Sequence, residues 1–333
     1  MNKLRIALLG FGTVGKGIYQ TIEVQQARLQ QLTGKQVEIA AIVVKSLKNH
    51  KNYNGHAKLT TDFQEVLGDK NIDLVMEAIV GKEPAFTYLQ QSIQQGMHVV
   101  TANKEMFAQH GQELKKLAEK HCVQIGFEAT TAGGIPVIAT IRQLLQVNRV
   151  RKIQAILNGT SNYILTEMRM KQLSFSQALK KAQELGYAEA NPANDIDGRD
   201  AYFKAVILCQ LLFGSKADKA RFKQTGIRDI SMSFLDEQEA AGKRVKHLVT
   251  IAETEDGIYC DISPAALEPG HPLYAVEGVD NAVHLETDIL GELTLTGPGA
   301  GALPTASAMI EDFCTIIGRP NAYSAHEELA SIH

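Results

Sequence analysis

Four acids and a lysine crowd the segment Gly186 to Lys204, GYAEANPANDIDGRDAYFK: Glu189, Asp195, Asp197, Asp200 and Lys204. Asp200 and Lys204 stand four residues apart, and on a helix that spacing puts them on one face. The apolar run Ala205 to Phe213 follows at once. It would draw the start of the helix into a core and hold the Lys204 ammonium partly out of water. Acids beside a desolvated lysine make a polar pocket with a candidate proton donor. The same residues also suit a solvated, well-capped helix start in which the charges do no chemistry. A calcium loop fits poorly, because D-I-D-G lacks the third ligand and the distant Glu of an EF-hand loop.

A second constellation lies near the N-terminus. Gly10-Phe11-Gly12-Thr13-Val14-Gly15 matches G-x-G-x-x-G, directly after the strand-like run Leu4 to Leu9 and at the opening of a helical stretch. In that context the first glycine permits a tight turn, the second lets backbone approach a pyrophosphate, and the third lets helix close on strand. The helix N-terminus offers N–H groups and a positive dipole end to phosphates. The next strand-like run ends Val43-Val44-Lys45-Ser46-Leu47-Lys48, with no acid to hold a ribose 2′-hydroxyl. Lys45, Ser46 and Lys48 are candidate partners for a 2′-phosphate, so NADP is the expected preference, with NAD as the alternative cofactor. The alternative for these lysines is a plain solvated loop.

These residues need a scaffold, and the chain supplies the pattern of one. Short apolar runs at Leu4–Leu9, Val37–Val44, Leu74–Val80, His98–Thr101 and Val123–Phe127 alternate with helical patterns such as Phe86–Gln95 and Gln112–His121. That alternation predicts α/β architecture with a doubly wound parallel sheet. From about Gly133 the rhythm changes to an α+β mixture. Helices are expected at Pro136–Gln146, Ser174–Glu184, Ala201–Phe213 and Asp236–Ala252, with strands at Lys152–Leu157 and Val245–Ile251. A last helix, Thr305–Ile317, follows the glycine-rich GPGAGALP and is expected to return to the first domain. The expected division is residues 1–133 for the nucleotide, 134–304 for substrate and dimerisation, and 305–333 for the returning segment.

Bulk properties narrow the class. A chain of 333 residues predicts two domains of ordinary size, and 44% hydrophobic with 21% charged residues is globular composition. Net charge is −3, with Lys and Arg spread along the chain, so no nucleic-acid surface is expected. No secretory leader pattern and no membrane-length apolar run is seen. The four cysteines, Cys122, Cys209, Cys260 and Cys314, are far apart, which predicts free thiols and a cytoplasmic protein. Cys209 and Cys314 read as core thiols.

Six ordered blocks resemble the homoserine dehydrogenase family over nearly the whole chain. They are ALLGFGTVGKG, VVTANKEMFAQHG (Val99 to Gly111), FEATTAGGIP (Phe127 to Pro136), LNGTSNYIL (Leu157 to Leu165), the acid-rich segment above, and GPGAGALPTASAMIEDF. The resemblance implies reversible reduction of L-aspartate 4-semialdehyde to L-homoserine by NAD(P)H, the branch step toward threonine, methionine and isoleucine. It implies Lys204 as the proposed general acid/base, Asp200 as the acid that orients Lys204 or the substrate, and Lys104 near both the nicotinamide and the reacting centre, with the choice of proton-donating lysine left open by sequence. It also implies Glu189 and Asp195 as substrate residues, and Gly301 as a further cofactor contact. FEATTAGGIP resembles the family's monovalent cation loop, with sodium held by Glu128, Thr131, Gly133 and Ile135. Oxygen ligands suit a hard cation; the alternative is a glycine-rich hinge. A homodimer through the second domain is implied as well.

Some features depart from the family or compete with it. Asn191 stands where the family usually has Asp, removing one loop charge. Longer members carry a C-terminal ACT domain, for which no room is expected after the last helix here. An aldehyde dehydrogenase acting on the same semialdehyde would need an activated cysteine; His121 beside Cys122 is the nearest approach to one. A Rossmann-type sensor that binds NADP without turnover would leave Lys104, Glu189, Asp200 and Lys204 without work. Asn158-Gly159-Thr160 is formally a glycosylation sequon, which has no meaning in a cytoplasmic protein.

Overall fold

The computed structural model describes residues 3–318, in which the chain forms two units: one ends at Thr130 and resumes at Gly301, and the other spans Thr131–Ala300. In the first unit the strands are β1 (Lys3–Leu9), β2 (Gln36–Val43), β3 (Lys58–Thr60), β4 (Leu74–Glu77), β5 (His98–Thr101) and β6 (Ile125–Gly126). They stand in the order β3-β2-β1-β4-β5-β6, with every neighbouring pair parallel. This is the doubly wound Rossmann order. A strand covered on both faces must be apolar along most of its length. Leu74, Val75 and Met76 meet that demand; Glu77, at the strand end, is buried with them.

Helices Thr13–Val24, Ala85–Gln94 and Lys104–Lys120 bury one stripe each, including Ile18 and Ile22, Leu89 and Ile93, and Phe107 and Leu114. The helical stretch after the glycines is two helices, Thr13–Val24 and Gln26–Thr33, joined at Gln25. Helix Ala302–Ile317 belongs to this unit and buries Ala306, Met309 and Phe313 in the same core as Leu8 and Ile18. Gly17 allows the two helices to meet, since a Cβ there would lie 2.6 Å from the Ala302 carbonyl oxygen.

The second unit is a mixed sheet of β7 (Val150–Ile156), β8 (Arg221–Gln224), β9 (Arg244–Thr254), β10 (Gly257–Leu267), β11 (Asp280–Thr287) and β12 (Glu292–Pro298). The order is β12-β11-β7-β9-β10-β8, antiparallel except where β8 runs parallel to β10. Its helices include Gly159–Lys171, Phe175–Glu184, Arg199–Phe213 and Met232–Ala240. The helix expected over Asp236–Ala252 is corrected here: it stops at Ala240, and β9 takes the rest. Gly242, at φ 76°, ends it by donating to the Glu239 carbonyl, after which the Val- and Leu-rich run pairs with β7 and β10. The helix expected over Pro136–Gln146 is a short α turn, Val137–Ala139, running into a π turn, Thr140–Leu144. Among the described residues no helix is long and apolar enough to cross a membrane.

Candidate active site

The turn after β1 has the backbone geometry of a phosphate cradle. Gly10 adopts φ 94° and donates to the Val43 carbonyl at 2.9 Å, tying the turn to the end of β2. A side chain at Gly15 is excluded, because a Cβ would lie 2.2 Å from the Gly10 carbonyl oxygen. Gly12, in contrast, has no atom within 4 Å of a built Cβ, so the space over the turn is open. Gly12 also begins the helix that starts with Thr13, Val14 and Gly15, with no side chain capping its amides. An open turn with uncapped amides fits a dinucleotide pyrophosphate.

Other parts of the first unit frame this turn. Phe11 makes an aromatic cluster with Tyr19 and Tyr53, at ring distances of 5.8 and 5.5 Å. Lys45 is exposed just past the end of β2, two residues after Val43, whose carbonyl receives the Gly10 bond. The Ser46 hydroxyl accepts from the Lys48 amide at 3.3 Å and caps the turn Leu47–His50. Gly301, at φ 126°, begins helix Ala302–Ile317, so it adjoins the residue that meets Gly17 on the cofactor helix. Lys104 opens helix Lys104–Lys120, whose N-cap is Asn103; the Asn103 side-chain oxygen accepts from the Met106 amide at 3.1 Å.

In the second unit Asp200 and Lys204 sit in the first turns of Arg199–Phe213, an entry made by Gly198 at φ 78°. Lys204 is only 7% exposed. Its ammonium pairs with Asp200 Oδ2 at 2.8 Å and donates to the Leu157 carbonyl at 2.6 Å. Leu157 follows β7 directly, so the sheet fixes one partner and the helix the other. The charges are therefore desolvated, not a solvated helix start. A lysine held in one rotamer among buried oxygens is equipped to deliver a proton to one place.

Asn158 joins the acids and was not legible as a site residue from sequence. Its Nδ2 donates to Asp195 Oδ1 at 2.8 Å and to Asp200 Oδ2 at 2.9 Å. Its Oδ1 accepts from the Ser161 amide at 2.7 Å, capping helix Gly159–Lys171. The sequon and the block LNGTSNYIL are the local signals at Asn158, and neither gives it a role beside the acids; the folded chain buries that side chain. The next residues hold the acid-rich loop: Thr160 Oγ1 donates to the Tyr187 carbonyl at 2.6 Å, and the Ser161 hydroxyl donates to the Asp195 carbonyl at 3.0 Å.

Not every acid joins this cluster. Asp197 turns to an ion pair with Arg228 at 2.9 Å. Glu189 is exposed, and its carbonyl accepts from the Gln183 side chain at 3.0 Å. Asn191 makes a local turn, its oxygen accepting from the Ala193 amide at 3.3 Å.

Replacing Asn158 by alanine removes the donor shared by the buried Asp200 and the partly buried Asp195. We expect a loss of about 1–3 kcal/mol in stability and a fall in kcat/KM of about tenfold or more. Asn158→Asp should be worse, because it adds a third acid. Urea unfolding with steady-state kinetics checks this; an Asp variant as active as wild type would show that the amide is not the link.

The four residues expected to hold a cation, Glu128, Thr131, Gly133 and Ile135, are buried. Glu128 lies in the turn Glu128–Thr130, and its amide donates to Asp312 at 2.8 Å. Thr131 and Ile135 are buried, and Gly133 adopts φ 63°. The Ile135 carbonyl accepts from the Val137 amide at 2.8 Å, which leaves a second lone pair. Among the described residues no group of three or more His, Cys, Asp and Glu side chains is placed to hold a metal, so a cation here would depend largely on backbone oxygens.

Three of the four thiols are not equipped as nucleophiles. Burial pushes Cys209 up to about 11 and Cys314 up to about 12, away from the reactive thiolate. Cys260 is buried and pushed up too.

Comparison with known proteins gives a consistent answer. Residues 10–128 match the family model for the NAD binding domain of homoserine dehydrogenase, and residues 136–314 match the model for homoserine dehydrogenase itself. The homoserine dehydrogenase of Lactococcus lactis subsp. lactis is 36% identical over 99% of this chain and 80% of its own length. The crystal structure of a homoserine dehydrogenase from Thiobacillus denitrificans superposes with a TM-score of 0.91 at 36% identity, covering 98% of this chain and 75% of that one. A hyperthermophilic archaeal homoserine dehydrogenase in complex with NADPH has a TM-score of 0.80 at 27% identity, covering 94% of this chain and 97% of that one.

Proposed function

This chain belongs to the homoserine dehydrogenase family, an NAD(P)-dependent oxidoreductase, and from that premise we propose that it interconverts L-aspartate 4-semialdehyde and L-homoserine on the route to threonine, methionine and isoleucine. The observation that carries this reading is the buried Lys204 ammonium, fixed by Asp200 and the Leu157 carbonyl. When bound, the reduced nicotinamide supplies the hydride for the aldehyde carbon. Lys204 gives its proton to the aldehyde oxygen as negative charge develops there, and in the reverse direction its neutral amine takes the hydroxyl proton. Asp200 orients Lys204, and Lys104 holds positive charge near the developing alkoxide. Asp195 and Glu189 hold the substrate, Glu189 at its amino group.

Gly10, Phe11, Gly12, Thr13, Val14 and Gly15 take the pyrophosphate turn, with Gly301 as a further contact. NADP is the preferred cofactor in this reading, with Lys45 meeting the 2′-phosphate. The NADPH named for the archaeal relative supports the choice. Glu128 with carbonyl oxygens of Thr131, Gly133 and Ile135 holds a monovalent cation, sodium. The enzyme works as a cytoplasmic homodimer, in keeping with four cysteines that remain free.

The test is oxidation of L-homoserine with NADP and with NAD at alkaline pH, followed by nicotinamide absorbance. Turnover is expected with both and faster with NADP. Absence of turnover with either, despite measurable NADP binding, would overturn the reading in favour of a non-catalytic NADP-binding protein. Lys45→Asp removes a charge-assisted phosphate contact and supplies a ribose acceptor. We expect the NADP to NAD ratio of kcat/KM to fall about tenfold or more. An unchanged ratio would place the phosphate elsewhere.

A further inference from the structure

Glu77 ends β4 with no solvent exposure, in a strand otherwise made of Leu74, Val75 and Met76. A carboxyl is a costly group to hold there, and burial pushes it up to about 7 against hydrogen bonds that favour the anion. Both oxygens are engaged. Oε1 accepts from the Ile79 amide at 2.6 Å, and Oε2 accepts from the Thr101 hydroxyl at 2.5 Å. Thr101 ends β5, and its oxygen accepts from the Asn103 amide at 3.0 Å. The Asn103 side chain reaches back, donating to the Ile79 carbonyl at 3.1 Å and to the Gly81 carbonyl at 2.7 Å. The bonds close a ring that locks the loop after β4 to the turn after β5, and Lys104 follows Asn103 in that turn.

The position of the ring matters as much as its closure. It lies at the carboxyl ends of two neighbouring strands, the edge at which a doubly wound sheet receives a dinucleotide. The first strand of the ring also underlies the glycine turn. The residue after Glu77, Ala78, donates to the Leu9 carbonyl at 2.8 Å, and a Cβ on Gly10 would lie 2.7 Å from the Ala78 carbonyl oxygen. Glu77 thus acts on both sides of the cradle: through Ala78 on the pyrophosphate turn, and through Thr101 and Asn103 on the start of the Lys104 helix. With β1–β3 as one mononucleotide half, β4–β6 is the half left for the nicotinamide nucleotide.

We propose that Glu77 is a positioning residue for the nicotinamide half of the cofactor and for Lys104, acting through Thr101 and Asn103; this rests on the reading of the chain as an NADP-dependent dehydrogenase. The test compares Glu77→Ala, Glu77→Gln and Thr101→Val in the full chain, by NADPH fluorescence titration, steady-state kinetics and thermal unfolding. Glu77→Ala should weaken NADPH binding and raise the KM for NADP by about tenfold, and lower kcat as well. Glutamine still accepts from the Ile79 amide and donates to the Thr101 oxygen, so Glu77→Gln should recover most of that loss. Thr101→Val keeps the shape, cuts one link, and should weaken cofactor binding in the same direction; it carries the test if the alanine variant does not fold. A lowered melting temperature with wild-type NADPH affinity, KM and kcat in either Glu77→Ala or Thr101→Val would overturn the proposal. The titration needs no turnover, so failure of homoserine oxidation and failure of this proposal are separate results.

Discussion

Lys204→Ala is expected to lower kcat for homoserine oxidation by about a hundredfold or more while NADP binding stays near that of the wild type. The separation follows from placement. Lys204 lies in the second unit, on helix Arg199–Phe213, whereas the glycine turn that receives the pyrophosphate lies in the first. Its ammonium is held by Asp200 and the Leu157 carbonyl. Alanine removes the proton carrier and leaves nothing in its place, so the loss should fall on kcat. Measuring kcat alongside NADPH affinity decides the point: a variant with full kcat would take Lys204 out of the chemistry, and Lys104 would become the first residue to test.

Asp200→Ala should cost about 3–5 kcal/mol of stability, because it breaks a buried ion pair. The Lys204 side chain is 8% exposed and that of Asp200 6%, so truncating the acid takes a carboxylate at 2.8 Å away from an ammonium that stays buried. It also removes one of the two carboxylates that receive the Asn158 amide. The double variant Asp200→Ala with Lys204→Met should recover much of that stability, because the buried ammonium is removed together with its carboxylate, yet stay inactive. Urea unfolding of the two single variants and the double gives the coupling directly. If Asp200→Ala cost less than about 1 kcal/mol, the pair would behave as a solvated surface contact, and the desolvated reading of Lys204 would fail.

What could be read in the chain was local. The glycine turn is legible because each glycine answers a backbone demand within six residues, at the end of an apolar strand. The Asp200–Lys204 pair is legible because helix geometry brings positions four apart together, whatever surrounds them. Local pattern failed where two periods overlap: Asp236–Ala252 holds the end of a real helix and most of a real strand, and the boundary depends on Gly242 taking a left-handed turn and on pairing with β7 and β10.

The sequence by itself therefore determined the dinucleotide turn, the parallel α/β pattern and the spacing of the acid and the lysine. Tertiary structure alone decided that Lys204 is desolvated, because its second partner is a backbone carbonyl 47 residues away with no side-chain signature. It decided that Asn158 serves Asp195 and Asp200, 37 and 42 residues on, and that Glu77 meets Thr101 across 24 residues. The physical reason is common to all three. Each pair joins elements far apart in the chain, and which elements meet is settled by strand order and by the burial of the whole core, not by any short stretch of chain.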